Sequence, residues 1–201
     1  MLNIIFDDPN AAYRYGMENF LTQIFSLEKK IPVQISDLTE ENIPAANIIV
    51  KRFSAGESTI CQPLFQQRTP HSLIIAVYDC RTVPFVTDLP LCITNIIFIN
   101  RKSSLEHIRK RVISGWANHT TGIPDQLPRD CANCKQPELS AKEARVATLI
   151  HAGNDVGHIA KKLQIAEKSV SVHKRKIMAK FNLLSDSELL SCLKLIKNKI
   201  F

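Results

Sequence analysis

The sequence predicts an α/β domain with a five-stranded parallel sheet, followed by a smaller all-α domain. Three observations lead there. Short apolar, β-rich runs alternate with polar or helical stretches over the first hundred residues, which suits parallel strands joined by crossovers. A proline-bearing, aperiodic stretch then interrupts the chain. Beyond it, helix start and stop signals recur at short intervals.

The predicted strands are Met1–Phe6, Pro32–Ile35, Asn47–Val50, Leu73–Tyr78 and Ile93–Ile99. Between the first two, Tyr13, Met17, Phe20, Leu21, Ile24 and Phe25 recur at helical spacing within Ala11–Leu27. Leu105, Ile108, Val112, Ile113 and Trp116 give the closing helix the same kind of stripe. Gly56–Pro70 is polar and aperiodic and Val83–Pro90 holds two prolines, so those crossovers are expected to be irregular or shortened. The expected domains are residues 1–119 and 138–201, with a linker over 120–137 that carries Pro124, Pro128 and Pro137.

Composition narrows the function. A hydrophobic content of 45% with 22% charged residues is that of an ordinary globular chain. No run approaches the roughly 18–20 apolar residues that span a bilayer, and Asp7 and Asp8 interrupt the N-terminus before a secretory core develops. The cytoplasm is therefore the expected compartment. The net charge of +7 lies entirely in residues 135–201, which hold 13 Lys and Arg against 6 Asp and Glu. A neutral module joined to a basic one fits a sensor or partner domain attached to a polyanion binder.

In the basic part, Ser140-Ala141-Lys142-Glu143 is a capping box ahead of Ala144, Val146, Ala147, Leu149 and Ile150, and Gly153 supplies a helix stop. Asp155 caps a second helix carrying Ile159, Ala160 and Leu163, and the turn Gln164-Ile165-Ala166 leads into a third from Glu167 to about Phe181. Two short helices joined by a tight turn make a helix-turn-helix. At 100° per residue, Val170, Ile177 and Phe181 share one face of the third helix. The opposite face is centred on Lys168, Val172, Arg175 and Ala179, flanked by Ser171 and Lys176. Arg175 suits a guanine edge and Val172 a thymine methyl. Lys168, Ser169, His173, Lys174, Lys176 and Lys180 suit phosphate oxygens.

The run from Leu139 through Val146, then Ala152-Gly153, Ile159–Ile165, Lys168–His173 and Ile177–Phe181, resembles the LuxR/NarL-type DNA-binding domain over roughly sixty residues. The resemblance implies four helices, the third reading the major groove, with base-contacting positions on Ser171, Val172 and Arg175. It also implies a last helix, from Ser185 to about Lys197, that mediates dimerisation, for which Leu189, Leu190, Leu193 and Ile196 are the candidates. Two positions depart from the family pattern. Ala166 replaces the hydroxyl cap before the recognition helix, at a cost of about 1 kcal/mol, and His158 replaces a common glutamate. The segment Ser169–Lys174 is most similar to the capsule-regulator branch typified by RcsA.

The alternating first part is similar to the receiver domain of two-component response regulators. Asp7 and Asp8 fall where receivers hold Mg²⁺, which makes them weak metal candidates beside a plain capping and turn role, with Asp8 ahead of Pro9 opening the first helix. A receiver needs a carboxylate ending its third strand, yet Lys51 and Arg52 follow Val50 here. Asp79 is the alternative acceptor, and Lys102 matches the receiver lysine. The expectation is a receiver-like domain that is not phosphorylated.

Cys131-x-x-Cys134 is half a zinc site in sequence terms, without a second pair or a nearby histidine, and reads as linker cysteines. With no phosphate-cradling glycine loop or nucleophile elbow, no catalytic residue or cofactor is assigned. The expected protein is a DNA-binding transcription regulator acting as a homodimer or as a heterodimer with a related response regulator. The alternatives are an auxiliary protein-interaction module with little DNA binding of its own, and a regulator phosphorylated on Asp79.

Overall fold

The computed structural model describes residues 1–79, 89–119, 134 and 136–200. Most of the predicted linker, with Cys131, and most of Val83–Pro90 lie outside them. The chain divides into two compact units, one gathering Met1–Phe53, Cys61–Asp79 and Leu89–Lys135, the other Ser54–Ile60 with Gln136–Phe201.

The first unit is built on five strands, β1 (Leu2–Asp7), β2 (Val33–Asp37), β3 (Ile48–Arg52), β4 (Leu73–Tyr78) and β5 (Ile96–Asn100). They are all parallel and lie in the order β2-β1-β3-β4-β5, one of the two common doubly wound arrangements. Parallel sheets need apolar cover on both faces, and β4 is buried at all six of its positions, Leu73–Tyr78. Helices α1 (Ala11–Thr22) and α2 (Leu105–His119) cover one face, where Met17, Leu21, Ile108 and Val112 pack on Ile4, Phe6, Val50, Ile75, Val77 and Ile99. Phe25 meets Trp116 edge-on, with ring centroids 5.5 Å apart.

Ile5, Ile49, Ile74 and Phe98 alternate to the other face and are also buried. Phe53 lies 6.5 Å from both Phe65 and Phe98 there. Among the described residues the β2–β3 and β3–β4 connections hold short 3₁₀ turns, such as Ile43–Ala45 and Pro63–Gln67, in place of α-helices. The buried Arg68 stiffens the second of these connections by donating to the Ser72 carbonyl at 2.9 Å and the Thr94 carbonyl at 2.8 Å. A guanidinium satisfies several carbonyls at once, so one side chain fastens the crossover to the turn entering β5.

Several boundaries differ from the sequence reading. The strands β1, β2 and β3 continue into polar residues, because Asp7 pairs with Lys51 and Phe6 with Asp37 in the ladders although the apolar runs have ended. Strand β5 begins at Ile96 rather than Ile93, since Asn95 takes φ +52° and its side-chain amide donates to the Pro70 carbonyl at 2.7 Å. The first helix is α-helical only to Thr22 and then widens into a π turn over Gln23–Glu28, ending before Lys30 at φ +56°.

The second unit contains α3 (Ala141–His151), α4 (Val156–Leu163), α5 (Glu167–Lys180) and α6 (Asp186–Ile200). Its core joins Val146 and Ala147 of α3, Ile159 of α4, Val170 and Ile177 of α5, Phe181, Leu183, and Leu189, Cys192, Leu193 and Ile196 of α6. No helix among the described residues is long and apolar enough to cross a membrane.

Candidate nucleic-acid interface

Local chemistry sets the second unit's geometry. The Ser140 hydroxyl accepts from the Glu143 amide at 3.3 Å while the Glu143 carboxylate accepts from the Ser140 amide at 2.8 Å, so the capping box is complete. Helix α3 ends ahead of Gly153 at φ +81°, a conformation that a side chain would strain. Asp155 caps α4 by accepting from the His158 amide at 2.8 Å, and its other oxygen lies 2.7 Å from His158 Nδ1. His158 thus joins the cap through both its amide and its ring. These bonds hold the exposed Asp155 carboxyl below the usual range.

Gln164, at φ +54°, reverses the chain after α4, and Ala166 precedes α5 in an extended conformation with no side-chain cap. The predicted turn therefore sits where the sequence placed it. The two faces of α5 also match the wheel. Val170 and Ile177 are fully buried, whereas Lys168, Val172, Arg175, Lys176 and Ala179 are exposed and Ser171 is half-buried. Arg175 has no ion-pair or hydrogen-bond partner among the described residues, so its five N–H donors are unclaimed on the exposed face. At the N-terminal end of α5, Lys168, Ser169, Val172 and His173 line a shallow concavity with Ala166.

Two of the six phosphate candidates are engaged within the unit. Lys174 pairs with Asp186 at 2.8 Å, linking α5 to the start of α6. Lys180 donates to the Glu143 carboxylate at 2.6 Å and to the Glu138 carbonyl at 2.7 Å. Glu143 is buried, and Lys180 together with the Ser140 bonds holds its carboxyl down at about 2. Lys168 and Lys176 remain exposed without a partner among the described residues, and Ser169 and His173 are half-buried toward the helix start.

The dimerisation candidates need a correction. Leu189, Leu193 and Ile196 are at most 3% exposed and fill the unit's own core, so they have no apolar surface left to offer a second chain. Leu190, at 40%, is the one member of that set on the surface, and Leu195 is similarly exposed at 43%. Apolar periodicity finds the buried stripe of α6 and cannot separate it from a stripe that faces a partner.

The carboxyl edge of the parallel sheet is the second candidate site, because ligands of such folds bind beyond the strand ends. Asp7 is paired with Lys51 at 2.8 Å and Asp8 with Arg101 at 2.7 Å. The Asp8 side chain is 1% exposed, and Arg101 also lies over the Tyr13 ring at 4.5 Å. Asp79 is half-exposed and 3.4 Å from Arg52. Each carboxylate here thus faces a cation of its own chain. Arg101 rather than Lys102 reaches the acidic pair, and Lys102 is exposed. The α1 cap is Asn10, whose side chain accepts from the Tyr13 amide at 2.9 Å, while Asp8 accepts from the Asn10 amide at 2.9 Å. Sequence reading missed Arg101 because it and Asp8 are 93 residues apart.

A third grouping was also missed. Cys61, Cys92 and Cys134 are buried thiols of the first unit whose sulfurs lie within 4.8 Å of one another.

Residues 137–193 match the luxR family of bacterial regulatory proteins. No curated protein matches the chain. Among solved structures, the chain is similar to the two-component response regulator RcsB in complex with DNA, at 20% identity and a TM-score of 0.62, covering 96% of this chain and 98% of that one. Two RcsB dimers bound to two parallel DNAs give 21% identity and a TM-score of 0.60 over 96% and 98%. RcsB from Salmonella enterica serovar Typhimurium bound to a promoter gives 18% and 0.58 over 98% and 100%. At such identities the likeness concerns the fold, a receiver-type sheet followed by a helix-turn-helix.

Proposed function

From a luxR-family helix-turn-helix joined to a receiver-type α/β domain, we infer that the protein is a transcription regulator that binds specific duplex sites through α5. The observation that carries this reading is the outward face of α5. Val172 and Arg175 are exposed beside Ser171 and Lys176, while Val170 and Ile177 anchor the helix from behind. Ser171, Val172 and Arg175 are assigned to base edges. Lys168, Ser169, His173 and Lys176 are assigned to phosphates, and Lys174 and Lys180 join them only by exchanging an internal partner for the backbone.

One recognition helix reads only a few base pairs, so useful affinity calls for two copies on adjacent half-sites. That RcsB is described as dimers on DNA supports the same arrangement here, with itself or with a related regulator. The domain limits proposed are 1–119 and 138–201. The receiver-like domain is proposed to work without phosphorylation, because Lys51 stands where the acceptor carboxylate would be and is already bound to Asp7. The chain is assigned no catalysis.

The test is binding of the full chain to its mapped genomic sites as a function of salt. Arg175→Ala is expected to weaken specific binding by about 1–3 kcal/mol and relax one base position, whereas Lys176→Ala weakens all duplexes alike and lowers the salt slope by roughly one. Unchanged site preference in Arg175→Ala would remove the assignment of this face. Binding that appears only after a related regulator is added would identify the heterodimer.

A further inference from the structure

The three cysteines of the first unit come from separate parts of the chain. Cys61 follows the Glu57–Thr59 turn in the β3–β4 connection, Cys92 precedes β5, and Cys134 lies beyond α2. Cys61 Sγ and Cys92 Sγ are 3.8 Å apart, and all three sulfurs fall within 4.8 Å of one another. A tetrahedral zinc ion with Zn–S bonds of about 2.3 Å sets its ligand sulfurs about 3.8 Å apart. The thiols are therefore already spaced nearly as one ion would hold them. A [4Fe–4S] cluster is a poorer fit, because each thiolate there binds a different iron and the sulfurs are forced further apart, and a [2Fe–2S] cluster divides its thiolates between two irons.

Two neighbours fit thiolate ligation. The Gln62 amide donates to Cys92 Sγ at 3.2 Å, a bond that strengthens when the sulfur is charged. Three thiolates and one divalent cation leave a net negative charge, and the buried guanidinium of Arg68 is close enough to Cys92 for their charges to favour each other. We propose that Cys61, Cys92 and Cys134 bind one zinc ion that fastens the β3–β4 connection, the turn before β5 and the segment after α2 to each other. Cys131 lies outside the described residues and is not assigned to the site.

Each thiol must shed its proton to bind the ion, so the affinity falls as pH is lowered. The site gives the first unit a structural staple at the β3–β4 connection, which holds 3₁₀ turns in place of an α-helix. It also fixes the point from which the chain leaves that unit toward residue 137.

The experiment uses the full chain purified without chelator. Elemental analysis is expected to return one zinc per chain. Cobalt(II) added to the metal-free protein should give the intense sulfur-to-metal charge-transfer and visible bands of a tetrahedral thiolate site. Cys92→Ser and Cys134→Ser should each lower zinc retention roughly tenfold or more, while Cys192→Ala, whose sulfur lies in the other unit's core, retains it. Because a serine variant can lose its fold, the cobalt spectrum of the unmodified chain is the independent reading. A weak octahedral cobalt spectrum, zinc retention unchanged in Cys92→Ser, iron with cluster absorption, or a Cys61–Cys92 disulfide in the fresh protein would each overturn the proposal.

Discussion

Ala166 opens α5 without the oxygen that usually closes such a terminus. Its backbone, at φ −66° and ψ 145°, already has the extended geometry of a capping residue, so only the side-chain acceptor is missing. Ala166→Ser and Ala166→Thr are therefore expected to raise the thermal stability of the helical unit by about 1 kcal/mol, read as a higher melting temperature in the full chain. No gain in either variant would mean that the orphan amides are already served by other groups. Residues governed by local chemistry, such as Ser140, Glu143, Asp155 and Gly153, were legible in the sequence because each acts within a turn or two of its own position. Asp8 and the cysteines were not. Their partners are dozens of residues away, and neither spacing nor composition reports which strand ends converge.

At the scale of elements, α3 and α5 are joined by a charge pair that also completes a cap. Lys180, which chemistry alone would send to a phosphate, instead reaches the buried Glu143 that closes the N-terminus of α3. The Glu143 carboxyl is held at about 2 against an ordinary 4.5, chiefly by Lys180. A carboxyl depressed by folding stabilises the native state at pH above its unfolded value, and that contribution is lost as pH falls from about 4.5 toward 2. Glu143→Gln is thus expected to cost on the order of 2 kcal/mol at pH 7 and to flatten the acid side of the stability profile. Amide exchange over residues 141–181 of the full chain, followed across that range, checks both effects. A variant with an unaltered acid profile would place the linkage elsewhere. Element type was largely readable here, since strands and helices followed apolar period and caps. Strand ends were less so, because Asp7, Lys51 and Arg52 extend the ladders through pairs that a hydrophobic run does not display.

For the whole molecule, the charge distribution separates two kinds of work. The last third carries the full net charge of +7 and leaves Lys168, Arg175 and Lys176 exposed on α5, while the sheet edge of the first unit balances its own acids with Lys51, Arg52 and Arg101. Phosphorylation of a receiver needs a carboxylate free to attack and a neighbouring acidic pair free to hold a divalent cation. Here Asp8 is 1% exposed and bonded to Arg101, so recruiting Mg²⁺ would require breaking a buried pair and leaving a guanidinium without its counter-ion. Such a rupture typically costs about 3–5 kcal/mol, more than a weakly held magnesium ion returns. Incubation of the full chain with acetyl phosphate and Mg²⁺ is therefore expected to leave its intact mass and its affinity for target DNA unchanged. Asp79→Asn should behave like the unmodified chain in both measurements. Stoichiometric labelling that Asp79→Asn abolishes would show that the loose 3.4 Å contact with Arg52 yields to a phosphoryl donor, and that the first unit still takes an input its paired charges argue against.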